Sequence, residues 1–227
     1  MSFKLFLKEL NGNGVEGELI KTVIYSLSTS LLILLILYFT GFKNIENFIP
    51  KYGLYLFLAV ISYSFILPLA RQVRAYKEFA CMSGMMIGMT IGMISGFLSG
   101  FVIAATNGMF YGSVFGMAVG IYFGVINGKC CGIMGFLEGI MAGFMGGIMG
   151  AMTAIMMIND NVKLAGIIVF AISGVILAGL SYMIHKETKE SERQIKEDYV
   201  FTIFASLILT SITTLFMVMG PRSVLFQ

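Results

Sequence analysis

Charged residues in this chain fall into short clusters, and the stretches between them are almost uninterrupted apolar sequence. Seven of these stretches reach the roughly 20 residues that a helix needs to cross a bilayer. They are Ile20–Thr40, Tyr52–Ala70, Ser83–Ala105, Gly108–Asn127, Cys130–Ile158, Leu164–Ile184 and Tyr199–Met219. The third, fourth and fifth are separated only by Thr106-Asn107 and by Gly128-Lys129, which predicts very short turns there. Their glycines do not argue against helix, because glycine is common in membrane-spanning helices. Pro68 has no backbone N–H to donate and is predicted to kink or end the second span. The last span carries a polar row, Ser206, Thr210, Ser211, Thr213 and Thr214. Its hydroxyls are expected to bond to the preceding turn or to a neighbouring helix.

Composition fits this pattern: 58% hydrophobic and 12% charged residues exclude a soluble globule. Lysine and arginine are unevenly spread. The amino terminus and the second, fourth and sixth loops hold Lys4, Lys8, Lys21, Arg71, Arg74, Lys77, Lys129, Lys186, Lys189, Arg193 and Lys196. The opposite side holds only Lys43, Lys51, Lys163 and Arg222. The positive-inside rule then puts the amino terminus in the cytoplasm and the carboxyl terminus outside, which needs an odd number of spans. The net charge of +3 is read as a sign of topology, with no nucleic-acid partner.

The expected organisation is a single transmembrane domain over 20–219, after a cytoplasmic or interfacial segment 1–19. Lys4 and Lys8 flank only a short apolar patch and no cleavage site follows, so no signal peptide is expected. The tail 220–227 ends in Val224-Leu225-Phe226-Gln227, which resembles the remnant of a viral 3C protease tag site. The sixth loop, His185–Asp198, alternates basic and acidic residues at helical spacing, as a solvated helical extension would.

The chemistry lies in the middle, within residues 81–158. Glycine recurs every fourth residue from Gly84 to Gly132, with Ala104 as the one exception. A shift of 24 residues maps Gly84–Gly100 onto Gly108–Gly124, and a further 27 maps Gly108–Gly120 onto Gly135–Gly147, the pattern of a degenerate helical repeat. Such spacing lets helix backbones approach closely in a membrane. The same region holds 14 of the 18 methionines, between Met82 and Met157, in about a third of the chain. Methionine fills gaps well, but its thioether also suits soft metals such as Cu(I).

Projection on a helix at about 100° per residue gathers Cys131, Met134, Glu138, Met141, Met145, Met149, Met152 and Met156 into one arc of about 80°. The glycines of the fifth span fall on another face. The column runs about 37 Å, longer than the roughly 30 Å hydrocarbon core. Cys81, Met85, Met89 and Met93 repeat it more weakly on the third span. Both spans run in the same direction under the expected topology, so Cys81, Cys130 and Cys131 meet at the cytoplasmic mouth, where thiols stay reduced. An ionisable residue within a span marks function by default, and Glu138 is either a metal ligand or proton-coupling group, or a structural residue that pairs with Lys129 or bonds to a neighbouring helix. The lone His185 is expected in solvent.

The Met-x-x-x-Met spacings (Met85 to Met89, Met89 to Met93, Met141 to Met145, Met145 to Met149) beside Gly-x-x-x-Gly lines resemble the motifs of eukaryotic Ctr-type copper transporters. The resemblance covers at most residues 81–158. It implies a methionine-lined pore closed by a glycine-bearing helix, with ligands at the cytosolic exit. Ctr proteins have three spans and keep the two motifs on different helices; here the motifs share a helix and recur. The neighbouring cysteines also resemble those of bacterial mercury importers.

The sequence therefore predicts an all-α integral membrane protein of the cell membrane, with seven helices and a glycine-zipper core of helices three to five. It predicts a transporter or channel for a soft metal, Cu(I) first, with Ag(I) or Hg(II) as alternatives, serving a cytosolic metal chaperone. Self-association through the Gly-x-x-x-Gly faces is expected. The alternative is a non-transporting glycine-zipper scaffold or subunit of a larger complex. Enzyme chemistry is not expected, because no nucleophile sits at a spacing that pairs it with a base.

Overall fold

The computed structural model describes residues 15–42, 48–76, 79–129, 132–188 and 199–222. They form seven α-helices: α1 (Val15–Leu37, extended by a π turn over Tyr38–Phe42), α2 (Phe48–Ala75), α3 (Cys81–Asn107), α4 (Met109–Gly128), α5 (Gly132–Met156), α6 (Val162–Glu187) and α7 (Tyr199–Met219). Each contains a stretch long and apolar enough to cross a membrane, which marks the chain as a multi-pass membrane protein. No strand occurs among the described residues. A helix satisfies its own backbone, the condition a bilayer imposes on any segment that crosses it.

Two local expectations change. Pro68 does not end α2, which continues through it to Ala75. The helix is buried on many sides, and packing of this kind offsets the loss of one backbone hydrogen bond. The turn between α3 and α4 is not Thr106-Asn107. Both residues belong to α3, and the chain reverses at Gly108, whose φ of 109° and ψ of 168° lie in a region essentially reserved for glycine. The buried Asn107 then ties this corner to α7: its Nδ2 donates to the carbonyls of Phe216 at 2.9 Å and Pro221 at 3.4 Å.

α2 and α3 form the centre, with α1, α6 and α7 packed on α2, and α5 resting on α3 and α4. Around α2 the core is made of large side chains. Tyr52, Tyr63 and Ile66 pack with Ile87 and Ile91 of α3 and with Ile184 of α6. Buried polar groups are matched across this core. Ser181 Oγ donates to Gln72 Oε1 at 3.0 Å, and Gln72 Nε2 donates to the Ser181 carbonyl at 3.4 Å. In α7, Thr210, Thr213 and Thr214 donate to carbonyls one turn back, and Ser206 shares a 2.9 Å hydrogen bond with Thr29 of α1. Both expected uses of the polar row thus occur.

Candidate functional site

What a glycine admits is shown by the atoms that its missing Cβ would meet. A Cβ on Gly120 of α4 would stand 2.8 Å from Gly96 Cα of α3 and 2.8 Å from Gly143 O of α5. One on Gly116 would stand 2.7 Å from Gly100 Cα and 2.9 Å from Gly147 Cα. No side chain fits there, and backbone touches backbone on both sides of α4.

The register is regular. Gly88, Gly92, Gly96 and Gly100 descend along α3 against Gly128, Gly124, Gly120 and Gly116 of the antiparallel α4. Ala104, the one break in the four-residue pattern, faces Gly112, and its Cβ is 2.5 Å from where a Gly112 Cβ would stand. The exception is therefore accommodated across the seam. On its other side α4 sets Gly128, Gly124, Gly120 and Gly116 against Gly135, Gly139, Gly143 and Gly147 of α5. Gly146 and Gly150 of α5 meet the backbones of Met93 and Phe97 of α3. These glycines are occupied within one chain. The expected self-association through them would have to displace contacts already made.

α5 is two-sided, as its projection predicted. Gly135, Gly139, Gly143, Gly146, Gly147 and Gly150 are buried together with Ala142, Ala151 and Ala154. Met134, Met141, Met145, Met149 and Met156 are exposed, Met141 at 59% and Met149 at 55%, and Met152 is partly buried. On α3, Met89 and Met93 are exposed and Met85 is partly buried. The backbone of Met93 abuts Gly146, and the exposed methionines of α3 and α5 lie on the surface of the bundle. They do not enclose a channel inside one chain. Thioethers are soft ligands, but a column on one helix face can hold an ion from one side only.

Cys81 is exposed and opens α3. Cys130 and Cys131 lie outside the described residues. Glu138 is partly buried on α5 among the methionines, and among the described residues its carboxylate makes no ion pair with Lys129. His185 sits in the last turn of α6 and is partly buried, where the expectation was a solvated loop; α6 simply continues to Glu187. The rest of the expected helical extension, 189–198, lies outside the described residues. No group of three or more His, Cys, Asp and Glu comes together among the described residues.

Three structural residues had no signal in a reading that sorted charges by side and apolar residues by span. Glu18 of α1 accepts a 3.2 Å salt bridge from Arg71 of α2. Gln72 bridges α2 to α6, and Asn107 holds the α3–α4 corner. For Asn107 the available sign was an amide between two apolar stretches; Gln72 lies among Arg71 and Arg74 and gave none. Comparison of the chain with protein-family models, with characterised proteins and with solved structures finds no match.

Proposed function

We propose that the chain is a membrane transporter or channel for a soft metal ion, Cu(I) first and Ag(I) or Hg(II) as alternatives, which moves along the methionine face of α5. The observation that carries this reading is that a regionally concentrated set of methionines stands at the surface of the bundle, where it fills no internal gap. A methionine retained for packing within its own chain is buried; these are not. One chain supplies one wall, so the path forms where this face meets the same face of another copy. Met141, Met145, Met149, Met85 and Met89 are the transit ligands in this reading. Cys81, Cys130 and Cys131 form the exit site toward a cytosolic metal chaperone. Glu138 is a ligand or proton-coupling group; a carboxylate within a span on an outward face is costly unless a partner receives it. The amino terminus is cytoplasmic, as the Lys/Arg distribution favours, and the region 81–158 acts as a glycine-zipper core.

Competition for Ag(I) between the purified protein and a soft-metal chelator tests the proposal. Binding that survives the chelator and is lost in the Met141→Leu, Met145→Leu, Met149→Leu variant supports it. Failure of the unaltered chain to retain Ag(I) would sink it.

A second reading is a scaffold or subunit without transport, favoured by the contacts among the glycines of α3, α4 and α5. It predicts that the same methionine changes are silent in every assay while bulky substitutions at the glycines are disruptive.

A further inference from the structure

A crevice of about 570 Å³ lies between α2, α4 and α7, on the side of the bundle away from α5. That volume is in the range of sites that hold a small molecule, about 300–1,000 Å³. Its walls are apolar, with Phe115, Val119 and Phe123 on α4 facing Ala205, Leu209 and Ile212 on α7. Toward one end Phe115 of the lining packs on Phe216 of α7, with ring centroids 5.4 Å apart. The other end is basic. The guanidinium of Arg71 lies 4.0 Å over the Tyr199 ring and that of Arg74 lies 4.4 Å over the Phe201 ring, both rings in the first turn of α7. Arg71 is buried and bound to Glu18, whereas Arg74 is partly exposed at this end.

Two further features define the occupant. The lining of α7 runs from Phe201 to Ile212, about 16 Å along the helix, or one leaflet of a hydrocarbon core roughly 30 Å thick. The rim residues Tyr122 and Phe204 remain exposed, so the crevice opens sideways between α4 and α7, toward the bilayer. A leaflet-deep, laterally open, apolar slot with arginine at the headgroup end matches a membrane lipid of negative charge.

We propose that this crevice is a binding site for an anionic phospholipid, with one hydrocarbon chain in the slot and the phosphate on Arg74. The chain contains no tryptophan, so a single one introduced at the rim reports the site without background. Phe204→Trp, with Val175→Trp on the exposed face of α6 as the bulk-lipid control, is measured in the full chain reconstituted in phosphatidylcholine. Phosphatidylglycerol with brominated chains is then titrated in. Quenching at Phe204→Trp is expected to be half-complete at a mole fraction about fivefold lower than at Val175→Trp, the preference one arginine confers. Adding Arg74→Gln is expected to return the rim reporter to the control curve. Identical curves for the two reporters overturn the site, and a preference that survives Arg74→Gln overturns the headgroup assignment.

Discussion

Around α2 the helices are held by side chains: Tyr52, Tyr63 and Ile66 fill the space, and Gln72 reaches Ser181 across it. Between α3, α4 and α5 there is almost no side chain to fill anything, and backbones touch glycine to glycine. The two regions therefore fail differently. The first loses contacts when a side chain shrinks. The second is forced apart when a side chain grows by one carbon. The contrast also bears on the outer face of α5. Once glycine and alanine alone hold α5 against α3 and α4, its long methionines are released from packing within the chain.

The largest effect expected from this comparison is at Gly120. Gly120→Ala places a methyl group against the backbones of both neighbouring helices and is expected to cost about 3 kcal/mol. The same change at Gly179 of α6, where nothing lies within 4 Å, is expected to be neutral or to stabilise by up to about 1 kcal/mol. Thermal unfolding in detergent measures both, and an equal response at the two positions would erase the distinction between the regions. Gly108→Ala tests the corner of the glycine layer. It should cost about 2 kcal/mol, because an L side chain rarely adopts φ of 109°. On the side-chain-packed side, Gln72→Leu removes the partner of the buried Ser181 and is expected to cost about 1 kcal/mol, in the same unfolding assay.

Much of the fold was legible because a bilayer makes length and polarity decisive. All seven spans and the opposed faces of α5 follow from positions in the sequence alone. The chain breaks were less legible. Pro68 reads as a terminator, yet a helix wrapped by neighbours tolerates it. Gly108 looks like one rung of the glycine pattern, whereas it is the corner between two helices. The site was legible by half. Projection shows that Met141, Met145 and Met149 share a face, but not what stands opposite, since that depends on how three helices meet. Arg71 and Arg74 read as markers of topology, and only the arrangement of α2 and α7 makes them the end of a crevice.

The smallest structural effect is expected from the change with the largest functional one. Replacing Met141, Met145 and Met149 with leucine at exposed positions should leave unfolding within about 0.5 kcal/mol of the unaltered chain. The central claim, that the glycine face of α5 holds the fold while the methionine face serves transport, is tested most directly by Ag(I) flux into proteoliposomes carrying equal amounts of folded protein. The account predicts flux above that of protein-free vesicles for the unaltered chain, and none for the triple leucine variant. Equal flux in both, or no flux in either, would contradict it.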